Sequence, residues 1–516
     1  MAGPESGSAL AAPQDDIAQL PVRNQPLLVF GIMTASLLQV LDVTICNVAI
    51  PHMQSSLGAS PDTVSWILTS YIIASAVAMP ITGWLADRIG SRRLFIMSVA
   101  LFVIASMLCG VAQNLEEMVL FRALQGVGGA FIAPLSQSSL LDTTRPSRQP
   151  QMIALWGMGV MIGPILGPVL GGYLTQLLNW RWVFFVNVPV GALSLAILYA
   201  KLPGHPIRRR KFDMFGFAMI GLALASLQLL LDRGHVVDWF TSPETWLYAG
   251  LAISCAWAAA IHLATAKEPL FDRRLFTNIN FSIAMVFMVF VGVSMFAVIA
   301  LMPPMLQQLF GYDVIDTGLV LMPRGVGVLL AMQISGQLLR RGVDARWLVT
   351  LGFLVVAGSL HLMTGWSLAV DSTHFIATGL MQGLGIGLVF LPLNATAFST
   401  LPPQLRTDGA SLLNLMRSVG SSVGISMVIT MAARGLQTNH EELAAHITPE
   451  LASTMDISAL DRFQQYGEAA LTLANAEVTR QAAMIAYLND FALMKWLCLG
   501  AIPLVLLMRK SPRYGG

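Results

Sequence analysis

Apolar stretches of about 20 residues, the length a helix needs to cross a bilayer, recur along almost the whole chain and are separated by short polar loops. Counting them predicts fourteen helices, at 27–50, 64–86, 93–113, 116–141, 151–177, 181–200, 213–232, 245–265, 279–303, 315–338, 346–366, 373–399, 408–432 and 487–508. The pattern breaks only at 433–486, which is polar and helix-prone and reads as a solvated helical hairpin. Every other loop on that side is short, so an ordered element there is expected to contact a partner.

Composition sharpens this picture. The chain is 55% hydrophobic and only 11% charged, with a mean hydropathy of +0.68, against about 25% charged residues in a soluble domain. The fold class is therefore an all-α polytopic membrane protein. A net charge of +2 with no basic stripe argues against nucleic acid as a partner. Cys46, Cys109, Cys255 and Cys498 fall in apolar segments without metal-ligand spacing, so no disulfide and no metal site are expected. Residues 1–26 lack the basic start and short apolar core of a cleaved signal and read as a disordered cytoplasmic tail.

Of the 30 Lys and Arg residues, 21 fall in segments that alternate onto one side of the predicted spans, including Arg88, Arg92 and Arg93, Arg208 to Lys211, and Arg340, Arg341 and Arg346. The positive-inside rule makes that side cytoplasmic, with both termini there. Arg122, Arg324 and Arg417 instead lie within spans, where a cation is costly unless it faces protein or water.

An internal repeat is visible. Gly83-Trp-Leu85 before Arg88 is echoed by Gly336-Gln-Leu338 before Arg340, and Leu124-Gln125-Gly126 by Met381-Gln382-Gly383. Similar offsets imply two six-helix halves, at 27–200 and 279–508, with a cytoplasmic linker and two inserted spans at 201–278 and a short cytoplasmic tail at 509–516. Membrane proteins built from repeats with a site at the repeat interface are mostly transporters.

The chemistry is sparse. Asp42 is the one carboxylate that these boundaries place deep within a span. A carboxyl shielded from water keeps its proton more readily than one in water, which suits a proton carrier. Helix rise puts Asp42 about 12 Å and Arg122 about 9 Å below the same surface, so the two can meet. Gln125 shares the face of Arg122, and Asn47 lies on the same helix as Asp42. Gly83, Asp87, Arg88, Gly90 and Arg92 form a loop with an acid among cations, suited to latch helices at the cytoplasmic gate. In the fifth span, Gly159, Gly163, Gly167 and Gly171 recur every fourth residue, leaving a bare helix face for close packing. Pro164 and Pro168 interrupt that helix's hydrogen bonds, and Gly172 follows. The stretch reads as a seam where the halves seal and bend. In the second half, Arg324, Gln382, Asn394, Asn414 and Arg417 are substrate or structural candidates, and the 28 methionines offer a soft lining. No phosphate loop, nucleophile elbow or metal motif is present, so no cofactor is expected, and Asp42 makes the proton the expected coupling ion.

These segments resemble the fourteen-helix drug:proton antiporters of the major facilitator superfamily, the EmrB/QacA group. The resemblance rests on Leu41 to Pro51, Gly83 to Arg93, Arg122-Ala-Leu-Gln125-Gly126, the fifth-span run ending Gly171-Gly172, and Asn179 to Pro189. It implies the major facilitator fold, without catalysis, and export of drugs or other amphipathic compounds across a bacterial inner membrane in exchange for protons, with Asp42 and Arg122 at the coupling site. It further implies partnership with a periplasmic membrane-fusion adaptor and an outer-membrane channel. The rival readings are an adaptor-free exporter of one metabolite, fatty acid or siderophore-like compound, and a polytopic membrane enzyme, for which the short loops offer no cluster of acids or ligands.

Overall fold

The computed structural model describes residues 16–204, 207–208, 210–234, 236–445 and 457–509. Arg209, the centre of the outer segment and both extreme tails, expected to be cytoplasmic, lie outside the described residues.

Among the described residues fourteen helices are long and apolar enough to cross a membrane: α1 Gln25–Ser56, α2 Trp66–Ile89, α3 Ser91–Val111, α4 Leu115–Asp142, α5 Pro146–Leu177, α6 Trp182–Lys201, α7 Met214–Arg233, α8 Pro243–Thr265, α9 Ile279–Leu309, α10 Val314–Arg340, α11 Ala345–Met363, α12 Ser372–Ser399, α13 Pro403–Ala445 and α14 Thr472–Leu507. No strand occurs among the described residues. Most ends fall within a few residues of the hydropathy pattern because polar loop residues cap them. Asn114 accepts from the Glu117 amide at 2.8 Å at the start of α4, and Asp313 accepts from the Asp316 amide at 2.7 Å at the start of α10.

The larger differences have one cause. A hydropathy window ends where charge begins, whereas a helix continues into water if a neighbour supports it. Thus α13 runs to Ala445, and the helix of α14 begins at Ile457. The two extensions pair through Asn439 Nδ2 to the Ala482 carbonyl at 3.2 Å and His440 to Asn475 at 2.9 Å. The described parts of the outer segment continue two spans into a paired helical extension. At the other end of the chain, the expected tail is docked from Asp16 onward. The Leu20 amide donates to the Asp142 carbonyl at 2.9 Å, and Asp16 accepts from the Ser147 amide at 3.0 Å.

The pairing of helices repeats. In the first half α1 packs on α5, α2 and α3 on α4, and α3 on α6; in the second, α9 packs on α13, α10 and α11 on α12, and α11 on α14. Adding eight to each label converts one set into the other. The halves meet through α5 on α10 and α12, and through α13 on α2 and α4. The inserted helices α7 and α8 pair with each other, and α7 leans on α2 and α13. For orientation, the face carrying Arg88, Arg92, Arg340 and Arg341 is called the basic face.

Candidate functional site

Five helices of the first half converge on Asp42. Its Oδ2 accepts from Arg122 Nη1 at 2.6 Å, and its Oδ1 from Gln125 Nε2 at 2.8 Å and Asn187 Nδ2 at 2.7 Å. Asp42, Arg122 and Gln125 are fully buried. Arg122 also donates through Nε to the Ile67 carbonyl at 3.1 Å and through Nη1 to Gln125 Oε1 at 2.8 Å, and it lies 4.6 Å over the Tyr71 ring. Asn187 is held in turn by Ser106 Oγ at 3.0 Å. A buried ion pair is favoured when additional hydrogen bonds fill its remaining capacity; this carboxylate is filled three times, while Arg122 Nη2 has no hydrogen-bond partner among the described residues. The set ties α1, α2, α3, α4 and α6 together through one carboxylate. Sequence reasoning found Asp42, Arg122 and Gln125. Asn187 lies within the Asn179 to Pro189 run that carries the resemblance but was not read as a site residue; its signal was a polar residue six positions into the apolar segment 181–200.

The fifth-span glycines do not line the seam between the halves. A Cβ on Gly163 would come within 2.7 Å of Val40 Cγ1 and 3.2 Å of the Leu41 amide nitrogen, one on Gly167 would overlap Thr44, and Gly159 and Gly171 likewise face Met33 and Ile45. The stripe seats α5 against α1 inside the first half, and Thr44 Oγ1 donates to the Gly163 carbonyl across it at 3.2 Å. It is the opposite edge of α5, with Pro164, Pro168 and Gly172, that turns toward the second half.

At the basic face, the cation brought to Asp87 is not the neighbouring Arg88 or Arg92. Arg92 donates to the Tyr199 carbonyl at 2.7 Å and Arg88 lies 5.7 Å over the Trp84 ring. Arg210, from the linker before α7, lies 3.5 Å from Asp87 and 2.9 Å from Asp408 at the start of α13. These acids hold the Arg210 guanidinium more firmly protonated than in water. Gly83 lies directly against the Asp408 carboxylate, so any Cβ there would displace it. Gly90 adopts φ +92°, a left-handed geometry that glycine supplies at the turn into α3. Deeper in, Arg406 of α13 pairs with Asp142 of α4 at 3.0 Å, and Ser411 Oγ donates to the Met79 carbonyl at 2.6 Å. Asn394 and Asn414 both bond Gln137, at 2.8 and 3.1 Å. The halves are thus closed together at the basic face.

Away from that face a cavity of about 540 Å³ opens between the halves. Its walls include Asn47, Thr44, Pro164 and Pro168 from the first half, and Met295, Met302, Gln307 and Arg324 from the second. Of the other second-half candidates, Arg417 donates to Asn414 Oδ1 at 3.2 Å and lies 5.9 Å over Phe296. Gln382 is fully buried with neither amide atom hydrogen-bonded among the described residues. Asp42 is also not alone in depth. Asp490 of α14 is fully buried, with both oxygens unbonded among the described residues. It lay near the edge of the predicted last span, and the longer helix carries it inside.

Two repeated helix bundles around a central cavity, sealed at one face, with a buried ion pair beside that cavity, define a multi-pass membrane transporter rather than an enzyme. Residues 32–425 match the Major Facilitator Superfamily, and the chain belongs to that family. It is 36% identical over 436 residues to "Multidrug export protein EmrB" of Haemophilus influenzae, covering 82% of this chain and 83% of that protein. It is 34% identical over 490 residues to "Fatty acid resistance protein FarB" of Neisseria gonorrhoeae, covering 93% and 96%. Among solved structures, the human organic anion transporter MFSD10 superposes with a TM-score of 0.59 at 14% identity, covering 92% of this chain and 99% of that one; this likeness concerns the fold.

Proposed function

We propose that this chain exports amphipathic compounds across a bacterial inner membrane in exchange for protons, with both termini and the basic face in the cytoplasm. The observation that carries the reading is the Asp42–Arg122 pair at 2.6 Å, fully buried and bonded by Gln125 and Asn187. A proton reaching Asp42 releases Arg122, and its departure restores the set, so proton occupancy biases how α1 and α4 pack. Asp87, Arg210 and Asp408, with Asp142 and Arg406, act as the cytoplasmic gate. The closed basic face and the cavity on the far side correspond to an outward-facing stage of the cycle. The names of the EmrB and FarB relatives support toxic amphiphiles as the substrate class. The division into two six-helix halves with α7 and α8 as an inserted pair follows the repeated packing. The test is transport in proteoliposomes under a pH gradient: Asp42→Asn is expected to fold and to lose proton-driven export, and undiminished export by that variant would refute the reading.

The paired extensions of α13 and α14 rise beyond the apolar part of their spans and support docking of a periplasmic adaptor that leads to an outer-membrane channel. Deleting residues 440–480 is expected to reduce resistance in cells while sparing transport in vesicles.

A further inference from the structure

We propose that Arg324 is the anion-recognition group of the central cavity, and that the compounds this chain carries are acids with an apolar body. The inference rests on the export reading above and assigns the chemistry of its substrate.

Arg324 sits ten residues into α10, about 15 Å along the helix from its outer end, and it lines the cavity. Its Nη2 donates to the Met295 carbonyl at 2.8 Å. No carboxylate pairs with it among the described residues. Among the described residues the cavity wall contains neither Asp nor Glu, and the only other titratable group on it is His52. Arg417, on the other side of α9 at Phe296, likewise has no acidic partner among the described residues and adds to the positive field.

The one acid in the neighbouring half that a cationic ligand would seek is Asp42, which is fully buried and already accepts from Arg122, Gln125 and Asn187. A cationic drug entering this cavity would therefore meet an uncompensated guanidinium and be repelled. A carboxylate or similar anion would gain a charge-assisted, two-pronged hydrogen bond. Met161, Met295, Ile299, Met302 and Leu321 supply an adaptable apolar wall for the rest of the molecule. The volume, about 540 Å³, suits a ligand of drug or fatty-acid size.

The test is equilibrium binding to the full-length chain in nanodiscs, without a pH gradient, using laurate, methyl laurate and dodecyltrimethylammonium as probes with like chains and different heads. The wild type is expected to prefer laurate over both others by about tenfold or more. Arg324→Gln is expected to lose that preference, Arg324→Lys to keep part of it, and Arg324→Glu to favour the ammonium probe. Equal wild-type binding of laurate and methyl laurate, or an unchanged preference in Arg324→Gln, would overturn the proposal. Because no gradient is applied, these results stand apart from the proton-coupling test: a chain that binds laurate through Arg324 but fails to export would sink the export reading and leave this one intact.

Discussion

Gln137 of α4 and Asn394 of α12 bond to each other at 2.8 Å across the boundary between the halves. They are 257 residues apart, the same separation as Gln125 and Gln382 in the sequence repeat. Two positions that correspond by internal symmetry therefore face one another where the basic face closes. Asn414 completes the group by donating to Gln137 Oε1 at 3.1 Å. Gln137→Ala leaves two buried amides short of partners, each costing about 1–3 kcal/mol. The expected outcome is a population shift toward opening at that face, read as greater labelling of a cysteine placed at Ser411, now buried against the Met79 carbonyl. Unchanged labelling would assign closure to the ion pairs alone.

The Asp142–Arg406 pair is almost wholly buried at the same interface. Removing one partner from such a pair typically costs about 3–5 kcal/mol because the other charge is stranded. Asp142→Ala and Arg406→Ala should each lower the melting temperature and weaken closure. The exchange Asp142→Arg with Arg406→Asp should recover part of both. A double variant no better than the singles would show that orientation in the surrounding helix ends, rather than charge pairing, holds the contact.

Arg122 joins Asp42 and Gln125 through Nη1 and the Ile67 carbonyl through Nε while stacking on Tyr71. A lysine ammonium reproduces the charge but not the fork or the stacking face. Transport rates in proteoliposomes should fall in the order wild type, Arg122→Lys, Arg122→Ala. The alanine variant should also be destabilised, by about 3–5 kcal/mol, because Asp42 loses its counter-charge. Near-normal export by both variants would remove Arg122 from the coupling step.

Asp490 presents the opposite case, a buried carboxyl with no bonded partner among the described residues. Burying a charged group without compensation is unfavourable, so Asp490→Leu is expected to raise the melting temperature by an amount corresponding to about 1 kcal/mol or more. A lower melting temperature would reveal that a polar contact holds it in place.

What the sequence disclosed follows physical range. Spans are legible because crossing a bilayer imposes length and apolarity on contiguous residues, and Asp42, Arg122 and Gln125 stood out because charged and amide groups in such stretches are costly. Asn187 and Arg210 were not legible as site residues. Asn187 reaches Asp42 across 145 residues of sequence, and Arg210 lies in a basic run whose obvious role is orientation. The rotational setting of α6 decides the first and the path of the linker before α7 the second, and no apolar window encodes either. Rotational setting likewise explains why the fifth-span glycines turn to α1.

That last placement alters what the glycine run can do. Gly163 and Gly167 bear on Val40, Leu41 and Thr44, which flank Asp42 on its own turn, while Pro164 and Pro168 on the other edge line the cavity. One helix thus touches the helix turn of Asp42 on one side and the cavity between the halves on the other. A leucine at Gly163 would wedge the two helices apart and disturb proton affinity along with transport, a joint defect that a mere leak would not produce. On the proposed reading α5 would serve as a pushrod: a shift of α1 at the carboxylate would press directly on the bare glycine face of α5, and the same helix would carry it to the wall that grips the passenger.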